Sequence, residues 1–224
     1  MRASFLPAIA FVASMALAGC ASTAPEAAGN GGLDKNIRLA KGGDDSTLVY
    51  RNPDIDVTKY RGIYIPPAEV YAGSDAEFGG ASDEKKQEMA QFLSDEFIRV
   101  LGKNHNIAAQ PGPGIVKLHL ILVGFRESRP VLSTGLRLMP VGLALTLGKS
   151  VADMPASFTG SATFSCEITD SETGEVLGAF LTKQNPPAYE LTSGLGETRA
   201  ARLGITQGAE GFAKVLDKAR AGAN

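Results

Sequence analysis

The chain has 224 residues, 44% of them hydrophobic, and carries 22 Lys and Arg against 24 Asp and Glu. That length is enough to bury one full core. The near-balanced charge leaves no basic excess to hold a polyanion, which argues against a nucleic-acid partner.

Met1-Arg2 is a minimal basic start, Phe5 to Leu17 is an apolar run interrupted by Pro7 and Ser14, and Ala18-Gly19 supplies small residues at a cleavage position. This pattern reads as a secretory signal peptide over 1–19, shorter than the roughly 20 apolar residues of a membrane span. The residue after it is Cys20, and Leu17-Ala18-Gly19-Cys20 resembles the lipobox of bacterial lipoproteins, in which the thiol takes the acyl group and opens the mature chain. Two or more fatty acyl chains, such as palmitate, anchor stably because each buried methylene contributes about 0.8 kcal/mol. Ala21 stands where Asp would favour inner-membrane retention in Gram-negative sorting. The expected address is therefore the periplasmic face of the outer membrane, with the membrane engaged through a lipid at Cys20.

From Ala21 to about Lys41 the chain is rich in Ala, Gly, Thr, Pro and Asn, a composition that does not repay ordering. Residues 20–45 are expected to form a flexible tether, about 25 Å in root-mean-square span for some 20 residues, ahead of one periplasmic domain over 46–222. Within that domain Gly62-Ile63-Tyr64-Ile65 reads as a short strand closed by Pro66-Pro67. From Ser82 the period becomes helical, with Met89, Phe92, Leu93, Phe97, Val100 and Leu101 on one stripe, Ser82 as N-cap and Gly102 at the exit. Next comes a strand with Val116, Leu118, Leu120 and Leu122 on a dry face and Lys117, His119, Ile121, Val123 and Phe125 on a mixed one.

Phe158 to Thr169 alternates apolar and hydroxyl residues, meets the turn cluster Asp170-Ser171-Glu172-Thr173-Gly174, and returns through Val176 to Thr182 as a β-hairpin. Thr198 to Arg220 closes the chain as a helix, with Ala201, Ile205, Phe212, Leu216 and Ala219 on one stripe. Gly204, Gly208 and Gly211 in it mark either close approach to the sheet or fraying. The fold class expected is α+β, a single mixed or antiparallel sheet of about four strands packed on two helices behind the tether.

In this order the elements resemble an uncharacterised bacterial lipoprotein family, domain of unknown function 3313. The resemblance is carried by Leu48-Val49-Tyr50, Tyr60 before the first strand, Pro140-Val141-Gly142, and Asp170 to Leu177 in the hairpin, and it covers about Leu48 to Lys183. It implies a periplasmic α/β domain on a lipid anchor and brings no catalytic residues.

Chemistry-bearing residues are sparse. Cys166 falls on the apolar parity of its strand, which suits a buried thiol, and no internal disulfide remains once Cys20 is acylated. His105 and His119 lie in different elements without ligand spacing, so no metal and no cofactor are expected. Asp44-Asp45 and Asp54-Ile55-Asp56 lack a calcium loop around them, and Gly112-Pro113-Gly114 reads as a turn. Serines occur outside any nucleophile elbow.

The chain is accordingly read as no enzyme, with hydrolysis through His119 a remote alternative. The segment 132–151 is too apolar for an ordinary connection and too short to cross a bilayer. It reads either as core folded over an open sheet face or as a contact surface for an envelope partner or a membrane surface, formed by Leu136, Leu138, Met139, Leu143, Leu145 and Leu147. The function expected is a binding or assembly module, accessory to a transport or secretion complex. A structural role against peptidoglycan or neighbouring copies is the alternative.

Overall fold

The computed structural model describes residues 29–127, 160–186 and 198–221. The elements in chain order are β1 (Ala40–Lys41), β2 (Thr47–Arg51), a 3-10 turn (Val57–Lys59), β3 (Gly62–Tyr64), β4 (Glu69–Val70), α1 (Asp83–Leu101), β5 (Ile115–Arg126), β6 (Ser161–Asp170), β7 (Val176–Gln184) and α2 (Arg199–Ala221).

Among the described residues the seven strands form one open mixed sheet in the order β1-β2-β7-β6-β5-β3, with β4 also on β5. The class is α+β with two helices, as expected, but the sheet exceeds the four strands expected. β1 and β4 are two residues each and β2 runs Leu-Val-Tyr without alternation, so none carries the period-two signature that marks a half-buried strand. β3 and β4 run parallel to β5 and lie end to end along its edge. Between them Pro66-Pro67, which has no N–H to give a ladder, breaks what would be one strand.

α1 begins where Ser82 accepts a hydrogen bond from the Lys85 N–H and ends at Gly102. Its buried stripe of Met89, Ala90, Leu93, Phe97, Val100 and Leu101 packs on the sheet together with Leu118, Leu120 and Leu122 of β5 and Ala162, Phe164 and Cys166 of β6. Phe125 joins this core, although simple alternation assigns it to the mixed face. The pairing of β5 with β6 shifts register between Leu122 and Gly124, and one extra residue returns Phe125 to the side of Leu122.

α2 runs in the same direction as α1, since Arg202 reaches Glu88, Thr206 reaches Glu96 and Asn104 reaches Asp217. Four rings fill the space beneath: Phe97 and Phe212 from the helices, Phe164 and Phe180 from the sheet, with centroids 5.4–6.1 Å apart. Gly208 settles the question of the helical glycines at its own position. A Cβ there would stand 2.4 Å from Phe164 Cζ, while one on Gly211 would meet nothing within 4 Å.

The opposite sheet face is also covered. Residues 29–39 cross it as a strap: Leu33 and Ile37 are buried with Ala179, and Leu39, Tyr50 and Val176 pack around them. The flexible tether expected over 20–45 does not hold for residues 29–45, because this stretch ends by pairing β1 with β2. Compact Gly and Asn residues and two apolar anchors are enough to lay it flat on the sheet.

Candidate functional site

The strap is built from local chemistry. The Asn30 side chain donates to the carbonyls of Asp34 at 3.2 Å and Ile37 at 3.1 Å, and Asp34 Oδ1 accepts from the Asn36 N–H at 2.7 Å. Gly31 and Gly32 take φ of 58° and 84°, a left-handed conformation that glycine adopts without steric cost. They also lie directly on the sheet. A Cβ on Gly31 would sit 2.9 Å from Leu181 Cδ1, and one on Gly32 3.0 Å from Ile121 Cδ1. Ser165, fully buried on β6, donates to the Gly31 carbonyl at 2.6 Å, and the Asp34 N–H donates to Glu167 Oε2 at 3.2 Å. The strap thus satisfies hydroxyl and carboxylate groups that the alternation of β6 turns away from the core. The signal for it is the four-residue spacing of Leu33 and Ile37 behind Asn30-Gly31-Gly32.

His119 lies half-buried on the strapped face, opposite Glu167 in the pairing with β6, and its Nε2 is 3.1 Å from Glu69 Oε1. The nearby hydroxyl of Ser165 is committed to Gly31. His105 is buried beside α2. Its Nδ1 is 3.1 Å from Arg220 Nη1 and its Nε2 2.9 Å from Asp217 Oδ1. A guanidinium can only donate, so Nδ1 is the acceptor in the contact with Arg220. The two imidazoles stay in separate places.

Cys166 is completely buried, and loss of solvation pushes its thiol well above the usual cysteine range. Among the described residues no three His, Cys, Asp or Glu side chains are grouped to hold a metal ion. Asp44 and Asp56 serve their own loops. Hydrogen bonds from the Ser46 and Thr58 side chains, respectively, hold these carboxyls below their ordinary range. Asp170 organises the hairpin turn. The N–H groups of Thr173 and Glu172 lower its carboxyl, and it accepts the Tyr60 hydroxyl at 3.0 Å. The turn reading of Gly112-Pro113-Gly114 agrees with the Ser171 hydroxyl bridging to Gly112 and Ile115.

Cys20 and the expected partner-contact residues Leu136, Leu138, Met139, Leu143, Leu145 and Leu147 lie outside the described residues. Their points of attachment are described. Arg126 and Ser161 are register partners, so residues 127–160 leave and return at one end of the sheet. The chain arriving from Cys20 joins the body at Gly29, beside Asp75 and Tyr71. No helix among the described residues is long and apolar enough to cross a membrane.

No curated protein matches the sequence. Several solved structures are similar at low identity. One is a PelC dodecamer from Paraburkholderia phytofirmans, with 8% identity and a TM-score of 0.37, covering 74% of this chain and 96% of that one. A second is protein XCC0632 from Xanthomonas campestris, with 12% identity and a TM-score of 0.35, covering 75% and 93%. A third is the DUF4136 family protein BT2437 from Bacteroides thetaiotaomicron, with 14% identity and a TM-score of 0.36, covering 78% and 97%. The family model described as protein of unknown function (DUF3313) matches residues 35–212, a longer span than the motifs alone indicate, and the chain belongs to that family.

Proposed function

We propose that the protein is a lipid-anchored module on the periplasmic face of the outer membrane, held by acylated Cys20. It acts without catalysis, as a binding or assembly accessory to an envelope transport or secretion complex. Leu136, Leu138, Met139, Leu143, Leu145 and Leu147 form its contact surface.

One observation supports the contact-surface reading over a core role for 132–151. The central strands β5, β6 and β7 have a cover on each face built from described elements, α1 and α2 on one side and the strap on the other. An apolar stretch is not required as a lid where lids already exist, and an apolar segment left over on a small domain marks an interaction site.

The test is Leu143→Asp with Cys20 intact. The reading expects an unchanged melting temperature and loss of the crosslinked envelope partner. A variant that unfolds assigns the stretch to the core instead, and crosslinks to peptidoglycan or to other copies of the chain favour the structural alternative. Hydrolysis through His119 has one observation in its favour, the contact with Glu69. It predicts ester hydrolysis that disappears in His119→Ala.

A further inference from the structure

We infer that the end of the sheet carrying the Tyr71–Glu77 loop faces the phospholipid surface, with the Asp170–Gly174 turn pointing away from it. This rests on the acylation of Cys20 proposed above and adds a direction to it.

The entry point of the chain is well placed. A Cβ on Gly29 would stand 2.7 Å from Asp75 Oδ2 and 3.4 Å from the Tyr71 hydroxyl, so Gly29 abuts that loop. The loop is bound to the last third of β5: the Tyr71 N–H donates to Leu122 at 2.9 Å, the Glu77 N–H to Val123 at 3.2 Å, and the Phe125 N–H to Glu77 at 3.0 Å. From the level of Val123, the Arg126 end of the strand is about 10 Å away at about 3.3 Å per residue. The opposite end is about 26 Å away, and there the turn is docked by the Ser171 N–H on the Ile115 carbonyl at 3.1 Å.

Gly29 follows Cys20 by nine positions, which allows a reach of about 30 Å at the very most. With the Arg126 end toward the lipid, that reach is mostly unused. Turning the body over would draw the chain out almost completely and forfeit its conformational freedom.

The experiment uses the full acylated protein in vesicles of phosphatidylethanolamine and phosphatidylglycerol bearing a headgroup energy acceptor. A donor is placed at Ser74→Cys or at Thr173→Cys, both exposed positions, and buried Cys166 does not compete for label. Transfer several-fold stronger from Ser74 than from Thr173 is expected. Equal transfer, or stronger transfer from Thr173, overturns the orientation. Protein that fails to float with the vesicles overturns the anchor itself, and the two failures are read separately.

Discussion

Ser165 on β6 and Gly31 in the strap, 134 positions apart, share a 2.6 Å hydrogen bond in a fully buried setting. The bond ties the strap to the centre of the sheet. In Ser165→Ala the Gly31 carbonyl loses this partner inside the protein, a loss of about 1–3 kcal/mol. Urea unfolding should show the lower midpoint, and proteolysis within residues 29–39 should accelerate more than elsewhere.

Two glycines one helical turn apart should respond in opposite directions. Gly208→Ala gains helix propensity of about 1 kcal/mol but forces a Cβ to 2.4 Å from the buried Phe164 ring. Overpacking of that kind costs about 1–3 kcal/mol, so the variant should melt lower. Gly211→Ala meets open space and should melt higher. Paired thermal denaturation of the two variants reads the sign directly.

Glu96 links the helices: Arg99 donates to it from its own helix at 2.6 and 2.7 Å, and Thr206 from α2 at 2.7 Å. The hydrogen bond from Arg99 is the main cause holding its carboxyl below the ordinary value of 4.5, with Thr206 assisting. A carboxyl lowered by folding contributes stability above its unfolded value and loses it as pH falls through the folded one. Glu96→Gln should therefore be less stable than the wild type at pH 7. The gap should close as the pH falls below about 4, as measured by denaturant unfolding across that range.

Cys166 should resist alkylation in the native protein and react only on unfolding, since its thiol is buried and kept protonated. Cys166→Ser puts a hydroxyl among Leu120, Phe180 and the neighbouring core side chains. A loss of about 1–3 kcal/mol follows where that hydroxyl lacks a good partner, as chemical denaturation would show.

The parts of the fold legible in the sequence are those with a long repeating period. The stripe and the Ser82 cap mark α1, and alternation around Asp170–Gly174 marks the β6–β7 hairpin. β1 and β4 are too short to express any period, and Leu48-Val49-Tyr50 in β2 is apolar on both faces. Alternation puts Phe125 on the wrong face because a bulge is a property of strand pairing, invisible along a single strand. The strap is hidden for a related reason: its burial comes from glycines fitting closely to a distant strand, while composition alone reads Gly and Asn as freedom. Of the chemistry, the buried Cys166 is legible from parity, whereas the contact of His119 with Glu69 depends on a two-residue strand.

The central claim is that fatty acids on Cys20 hold this domain at a membrane, and mass spectrometry of the amino-terminal peptide tests it most directly. The account predicts a mature chain that begins at Cys20 and carries acyl chains on that residue. A bare Cys20 thiol, or a peptide still continuous with Leu17-Ala18-Gly19, would contradict it.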